Sequence, residues 1–180
     1  RIKATLATPD EQVVPDLQAA ADYLAALPEV DSDRIGAIGY CSGGGQLYAW
    51  ICGRSRNVKC AVVYYGAPMV RGNGRADGKD LDRALDGHKL QMPILVHHGD
   101  ADKSVALSAG QHMVEALKKS GQPVEFYIYP GADHAFHDDS HPQYHENAAI
   151  ESWHRTLAFF DRYLKAPSTM IPAPDKQGRK

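Results

Sequence analysis

Gly39-Tyr40-Cys41-Ser42-Gly43-Gly44 is the stretch on which the reading of this chain turns. It follows the apolar run Arg34-Ile35-Gly36-Ala37-Ile38 and precedes Gln46-Leu47-Tyr48-Ala49-Trp50-Ile51. The first run reads as a strand and the second as a helix, so the glycines mark a tight strand-to-helix turn. Two glycines placed symmetrically about one residue form a nucleophile-elbow pattern, with Cys where Ser is usual. The central residue of such a turn is strained, so its neighbours two positions away are expected to lack Cβ. Cys41 meets that condition through Gly39 and Gly43. Ser42 does not, because Tyr40 would stand in the crowded position. Cys41 is therefore the candidate nucleophile, and the backbone N–H of Ser42 a candidate oxyanion donor. The same stretch also fits a glycine-rich turn that holds a structural Cys or a phosphate.

Working outward, apolar residues at helical spacing (Val14, Leu17, Ala21, Leu24, Leu27) predict a helix from about Val14 to Leu27, ended by Pro28. Ile35–Ile38 is the first strand, and the continuous β-branched and aromatic run Val58–Tyr65 reads as a buried parallel strand. Arg71–Gly87 is polar and glycine-rich and reads as a loop, with the wider span Gly66–Leu90 a candidate pocket wall. Pro93–His98 and Val124–Tyr129 are further strands. Ala106–Lys119 and Asn147–Leu164 are helices, the first stopped by Ser120-Gly121. Strands alternating with helices imply a parallel sheet with right-handed crossovers. The expected organisation is one domain over residues 1–165 and a tail from Ala166 to Lys180. Four strands make a small sheet for this class, and the chain begins at Arg1 without an initiator Met. The expectation is a partial domain whose first strands lie upstream or are supplied by another chain, with a homo-oligomer as the alternative.

The 180 residues carry a net charge of −2, which gives no general attraction to nucleic acid or anionic membrane. No run approaches the roughly 18 apolar residues of a membrane span, and no signal peptide follows Arg1. Any targeting segment would lie upstream, so the compartment is left open. Of three cysteines, Cys52 and Cys60 fall on apolar runs and read as small buried hydrophobes, so nothing demands an oxidising compartment.

A Cys nucleophile needs a base, and the base an orienting acid. In parallel sheets such groups sit just past the C-terminal ends of strands. Two loops qualify: Gly99-Asp100-Ala101-Asp102 and Pro130-Gly131-Ala132-Asp133-His134-Ala135-Phe136. The His-rich tract His134, His137, His141, His145 and His154 invites a metal reading. Pro142 breaks any continuous ligand face, and the Glu of a His-Glu-x-x-His helix is missing, so neither a metal nor another cofactor is expected. Gly72, Gly74 and Gly78 lack the strand-to-helix context of a phosphate loop.

These motifs, with Phe136-His137-Asp138-Asp139 and Trp153-His154-Arg155-Thr156, resemble the dienelactone hydrolase family, over roughly the C-terminal two-thirds of such a protein. The resemblance implies an α/β-hydrolase fold, a mostly parallel sheet flanked by helices, lacking its first strands. It implies Cys41 as nucleophile, His134 as base and Asp102 as acid, because the family places its acid at the fourth residue of that turn. Asp100 then becomes a turn former and Asp133 a loop residue. The implied activity is hydrolysis of a carboxylic ester or lactone through a thioester. An acyltransferase or peptidase on the same residues, and a non-catalytic binding module, are the rival classes. Tyr40, His98 and Phe136 are the candidate pocket residues. One family Arg, four residues past the catalytic His, is replaced by Asp138, so an acidic lactone is not the expected substrate. The family's second oxyanion N–H and a Glu near the nucleophile have no counterpart in the chain.

Overall fold

The computed structural model describes residues 8–53, 55–70 and 79–165. Helix α1 (Asp10–Ala26) is followed by a 3-10 turn (Ser32–Arg34), strand β1 (Gly36–Tyr40) and helix α2 (Ser42–Ile51). Strand β2 (Cys60–Tyr64) leads to a short β3 (Met69–Val70), β4 (Leu81–Asp82) and a 3-10 helix (Arg83–Lys89). Then come β5 (Ile94–Gly99), α3 (Leu107–Lys118), β6 (Val124–Tyr129) and α4 (Glu146–Phe160), which ends in a π-helical turn (Asp161–Lys165). The main sheet has the order β1-β2-β5-β6 and every pairing is parallel. The tail expected from Ala166 onward lies outside the described residues.

Side chains alternate across the central strands, as the period of two requires. Ala61, Val63, Ile94 and Val96 face α1, α2 and α3, in one core with Leu47, Trp50, Met113 and Leu117. Val62, Tyr64 and Leu95 face the other way, toward Ala148 and Phe159 of α4. Both faces of β2 and β5 are covered, which is why these strands read as unbroken apolar runs. That run includes a buried polar chain. The ring of His97 lies between the Tyr129 hydroxyl (2.9 Å from Nδ1) and Thr156 Oγ1 (3.1 Å from Nε2), and Thr156 in turn meets Tyr64 Oη at 2.8 Å. No helix among the described residues is long and apolar enough to cross a membrane.

Two expectations are corrected. Helix α1 starts at Asp10, not near Val14, and carries Pro15 inside it. Its first turn is held by Arg83, whose guanidinium grips the Asp10 carboxylate with two bonds of 2.7 and 3.0 Å and reaches Ala67 O at 3.0 Å. Asp10 and Glu11 also complement the N-terminal end of the helix dipole. The polar stretch read as loop over 71–87 carries regular structure in its described part. Met69–Val70 pairs antiparallel with Leu81–Asp82, and Asp82 caps the 3-10 helix by accepting from Ala84 N at 2.9 Å. Residues 71–78 lie outside the described part.

Candidate active site

Cys41, His134 and Asp102 converge at the C-terminal edge of the sheet. Cys41 follows β1 as the N-cap of α2 and takes φ 53° and ψ −121°, a backbone conformation few non-glycine residues adopt. Gly39 is required beside it: a Cβ there would lie 2.7 Å from Gly43 O. Gly43 is not required on the same ground, since a Cβ there meets nothing within 4 Å. Gly44 is the second constrained position, where a Cβ would come within 2.9 Å of Gly66 Cα and of Val63 Cγ1. The glycines therefore press the start of α2 onto the end of β2, and the Cys41 side chain stands exposed.

His134 arrives on the loop after β6, and its Nε2 lies 3.0 Å from Cys41 Sγ. Its Nδ1 lies 2.9 Å from Asp102 Oδ2. Asp102 comes from the turn after β5, and its other oxygen accepts from Ser104 N at 2.8 Å and Val105 N at 2.7 Å. Two other carboxylates hold these loops together. Asp100 Oδ1 accepts from Gly131 N at 2.7 Å, and Asp133 Oδ1 accepts from Lys103 N at 2.9 Å. Asp100 and Asp133, expected to be a turn former and a loop residue, each reach across to the opposite loop. No sequence spacing announces such a cross-link.

The electrostatics follow from these contacts. The His134 hydrogen bond lowers the Cys41 thiol below its ordinary value against the opposing effect of burial, and the Ser42 N–H adds to it. Burial pulls His134 down, but Asp102 and then Cys41 outweigh it and raise the ring to about 9. Burial works to raise Asp102, yet His134 and the Val105 and Ser104 N–H groups hold it below the usual carboxylate range. The combination favours a thiolate beside an imidazolium. Cys52 and Cys60 are buried and pushed up to about 12, in both cases chiefly by burial.

A cavity of about 630 Å³ opens beside the elbow. Tyr40 lines it, together with Tyr65, His137, Asp138, Trp153 and Ile150. Two expectations about this wall are corrected. His98 is fully buried, with Nε2 donating to Val105 O at 2.9 Å and lying 3.7 Å from Asp102 Oδ2, so it sits beneath the acid. Phe136 is also fully buried, in the core with Tyr129 and Phe159. The described parts of the Gly66–Leu90 span do not line the cavity either. Tyr65 was not anticipated. Its φ of 38° is again a rare conformation, and its ring packs 5.0 Å from that of His134. Its place at the end of β2, in Tyr64-Tyr65-Gly66, was the available signal. Among the described residues no group of three His, Cys, Asp or Glu is gathered as a metal site.

Comparison with known proteins identifies the family and the fold. Residues 2–164 match the model of the dienelactone hydrolase family. A Methylorubrum extorquens protein named "Putative carboxymethylenebutenolidase" is 32% identical over 156 residues, 86% of this chain and 52% of that protein. The chain thus spans about half that relative's length. A crystal structure described as "Putative Dienelactone Hydrolase from Klebsiella pneumoniae" superposes with a TM-score of 0.75 at 31% identity, over 86% of this chain and 62% of that one. Dipeptidyl peptidase 4 of Porphyromonas gingivalis shares the fold alone, at 22% identity and a TM-score of 0.71, over 84% of this chain and 23% of that one.

Proposed function

Because this chain belongs to the dienelactone hydrolase family, we propose that it hydrolyses a carboxylic ester or lactone through a Cys41–His134–Asp102 triad and a thioester acyl-enzyme. The observation that carries the reading is the continuous array from Cys41 Sγ through His134 to Asp102, with spacings of 3.0 and 2.9 Å. In this reading the Cys41 thiolate adds to the ester carbonyl carbon. The resulting oxyanion accepts from the Ser42 N–H. His134, as imidazolium, gives its proton to the departing alkoxide as the carbon–oxygen bond breaks, which leaves a thioester on Cys41. Neutral His134 then takes a proton from water as it adds to the thioester. Collapse of that adduct releases the carboxylic acid and returns the sulfur as thiolate. Asp102 keeps the ring in one tautomer and balances the imidazolium. A thiolate is itself a good leaving group, so the chemistry suits activated esters and lactones better than amides.

Selective alkylation tests this. Iodoacetamide at neutral pH should label Cys41 and leave Cys52 and Cys60 unmodified, because those two are buried and stay as thiols. Hydrolysis of an aryl ester should fall in proportion to the fraction of Cys41 labelled, as read by peptide mass spectrometry. Full activity in protein fully alkylated at Cys41 would refute the nucleophile assignment.

A further inference from the structure

We infer that the cavity beside Cys41 accepts a substrate group bearing positive charge, an alkylammonium or trimethylammonium substituent on the ester. This deepens the ester-hydrolase reading and rests on it. The cavity walls are mostly aromatic: Tyr40, Tyr65, Tyr144, His137 and Trp153. The rings form a connected surface, with Trp153 to His137 at 5.8 Å, His137 to Tyr40 at 5.7 Å and Tyr40 to Tyr65 at 6.3 Å. That surface runs on to the catalytic candidate His134, 5.0 Å from Tyr65. Aromatic π faces attract cations, more strongly where water is excluded.

The charges on the wall have one sign. Asp138 and Asp139 are the charged residues among those that line the cavity. Asp138 is fixed at the rim, its Oδ1 accepting from Ser140 N at 3.0 Å and Ser140 Oγ at 2.6 Å. Those same bonds keep its carboxyl ionised below the ordinary range. Burial keeps His137 below its usual value, so this ring adds no positive charge at neutral pH. Along α4 from Trp153, the guanidinium of Arg155 is engaged elsewhere: it sits 3.8 Å over the Tyr127 ring and pairs with Glu151. Among the described residues, a substrate carboxylate in this cavity would meet two like charges and no lining cation. A quaternary ammonium would meet aromatic faces and two carboxylates.

The experiment measures binding of three phenols of matched shape to the protein by calorimetry: 3-hydroxyphenyltrimethylammonium, 3-tert-butylphenol and 3-hydroxybenzoate. The cation should bind about tenfold more tightly than the neutral phenol, and the anion most weakly. The cation's advantage should shrink as salt is raised. The double substitution Asp138→Asn, Asp139→Asn should reduce the gap between cation and anion by at least about tenfold. Asp139→Asn alone, which leaves the Asp138–Ser140 turn in place, should give a partial reduction. Equal binding of cation and neutral phenol, or a cation–anion gap unchanged in the double variant, overturns the inference. Calorimetry needs no turnover, so the two claims separate. Cation preference without hydrolysis of 3-(trimethylammonio)phenyl acetate or 3-tert-butylphenyl acetate would sink the ester-hydrolase reading and keep this one. Hydrolysis of both esters without cation preference would do the reverse.

Discussion

His134→Ala should lower kcat/KM for an activated ester by about 10⁴-fold at pH 7, with the fold retained. Two effects combine. The substitution removes the 3.0 Å contact that lowers the Cys41 thiol, while the partial desolvation of this exposed side chain remains and pushes it upward. It also removes the group that, in the proposed mechanism, protonates the leaving alkoxide. The sign of the pH response separates these losses. In the native protein the thiolate is available below the ordinary thiol value, and the imidazolium persists to about 9. Activity should therefore plateau near neutrality and decline as pH passes about 9. In the variant the thiolate forms only as the solution itself removes the proton, so residual activity should climb about tenfold per pH unit through the neutral range. A variant with more than a tenth of native activity at pH 7, or a flat profile, would remove His134 from the mechanism.

Gly99→Ala should cost about 3–5 kcal/mol of stability and more than a hundredfold in kcat/KM. A Cβ at Gly99 would lie 2.0 Å from Ala132 O and 2.7 Å from Ala132 C, both backbone atoms. Ala132 O already accepts from Ala101 N at 3.1 Å, so the two loops are joined at that point. Forcing them apart must also part Asp102 from His134, now at 2.9 Å. Gly43→Ala is the contrasting variant, because a Cβ there meets nothing within 4 Å, and it should shift stability by less than about 1 kcal/mol. Denaturant midpoints of the two variants, measured side by side, check both. Equal, small effects would mean that the loops tolerate separation.

The parts of the molecule that were legible beforehand are those governed by local chemistry. Gly39 is needed by a backbone close approach, and that need is written two residues from Cys41. The buried strands β2 and β5 announce themselves because both of their faces are covered, which leaves no polar alternation to confuse the reading. Asp102 and His134 follow from where parallel strands end, once the family resemblance selects between Asp100 and Asp102. What was not legible depends on contacts between distant segments. Asp10 and Arg83 are 73 positions apart, yet their pairing sets where α1 begins. His98 and Phe136 sit at strand and loop positions that also suit a pocket wall, but Val105 and Gly110 close over one and the core beneath α4 takes in the other. The cavity wall supplied by Ile150 and Trp153 is one face of α4, and which face turns to the cavity is decided by the sheet beneath it.

The buried ring of His97 has a consequence for the protein's tolerance of acid. Burial foremost, and then the charge of Arg155 and, once acid has protonated it, that of His137, lower its pKa to about 3 from an ordinary 6.5. The native protein thus keeps this ring neutral in the range where an unfolded chain would already have protonated it. The contribution of His97 to stability is complete above pH 6.5 and drains away as the pH falls toward 3, by up to about 1.4 kcal/mol for each unit. A proton that did reach the ring would leave both nitrogens as donors, so Tyr129 and Thr156 could no longer alternate as donor and acceptor along the chain to Tyr64. Mild acid therefore weakens this domain from its centre, between the sheet and α4, and the added charge arrives where no water can screen it.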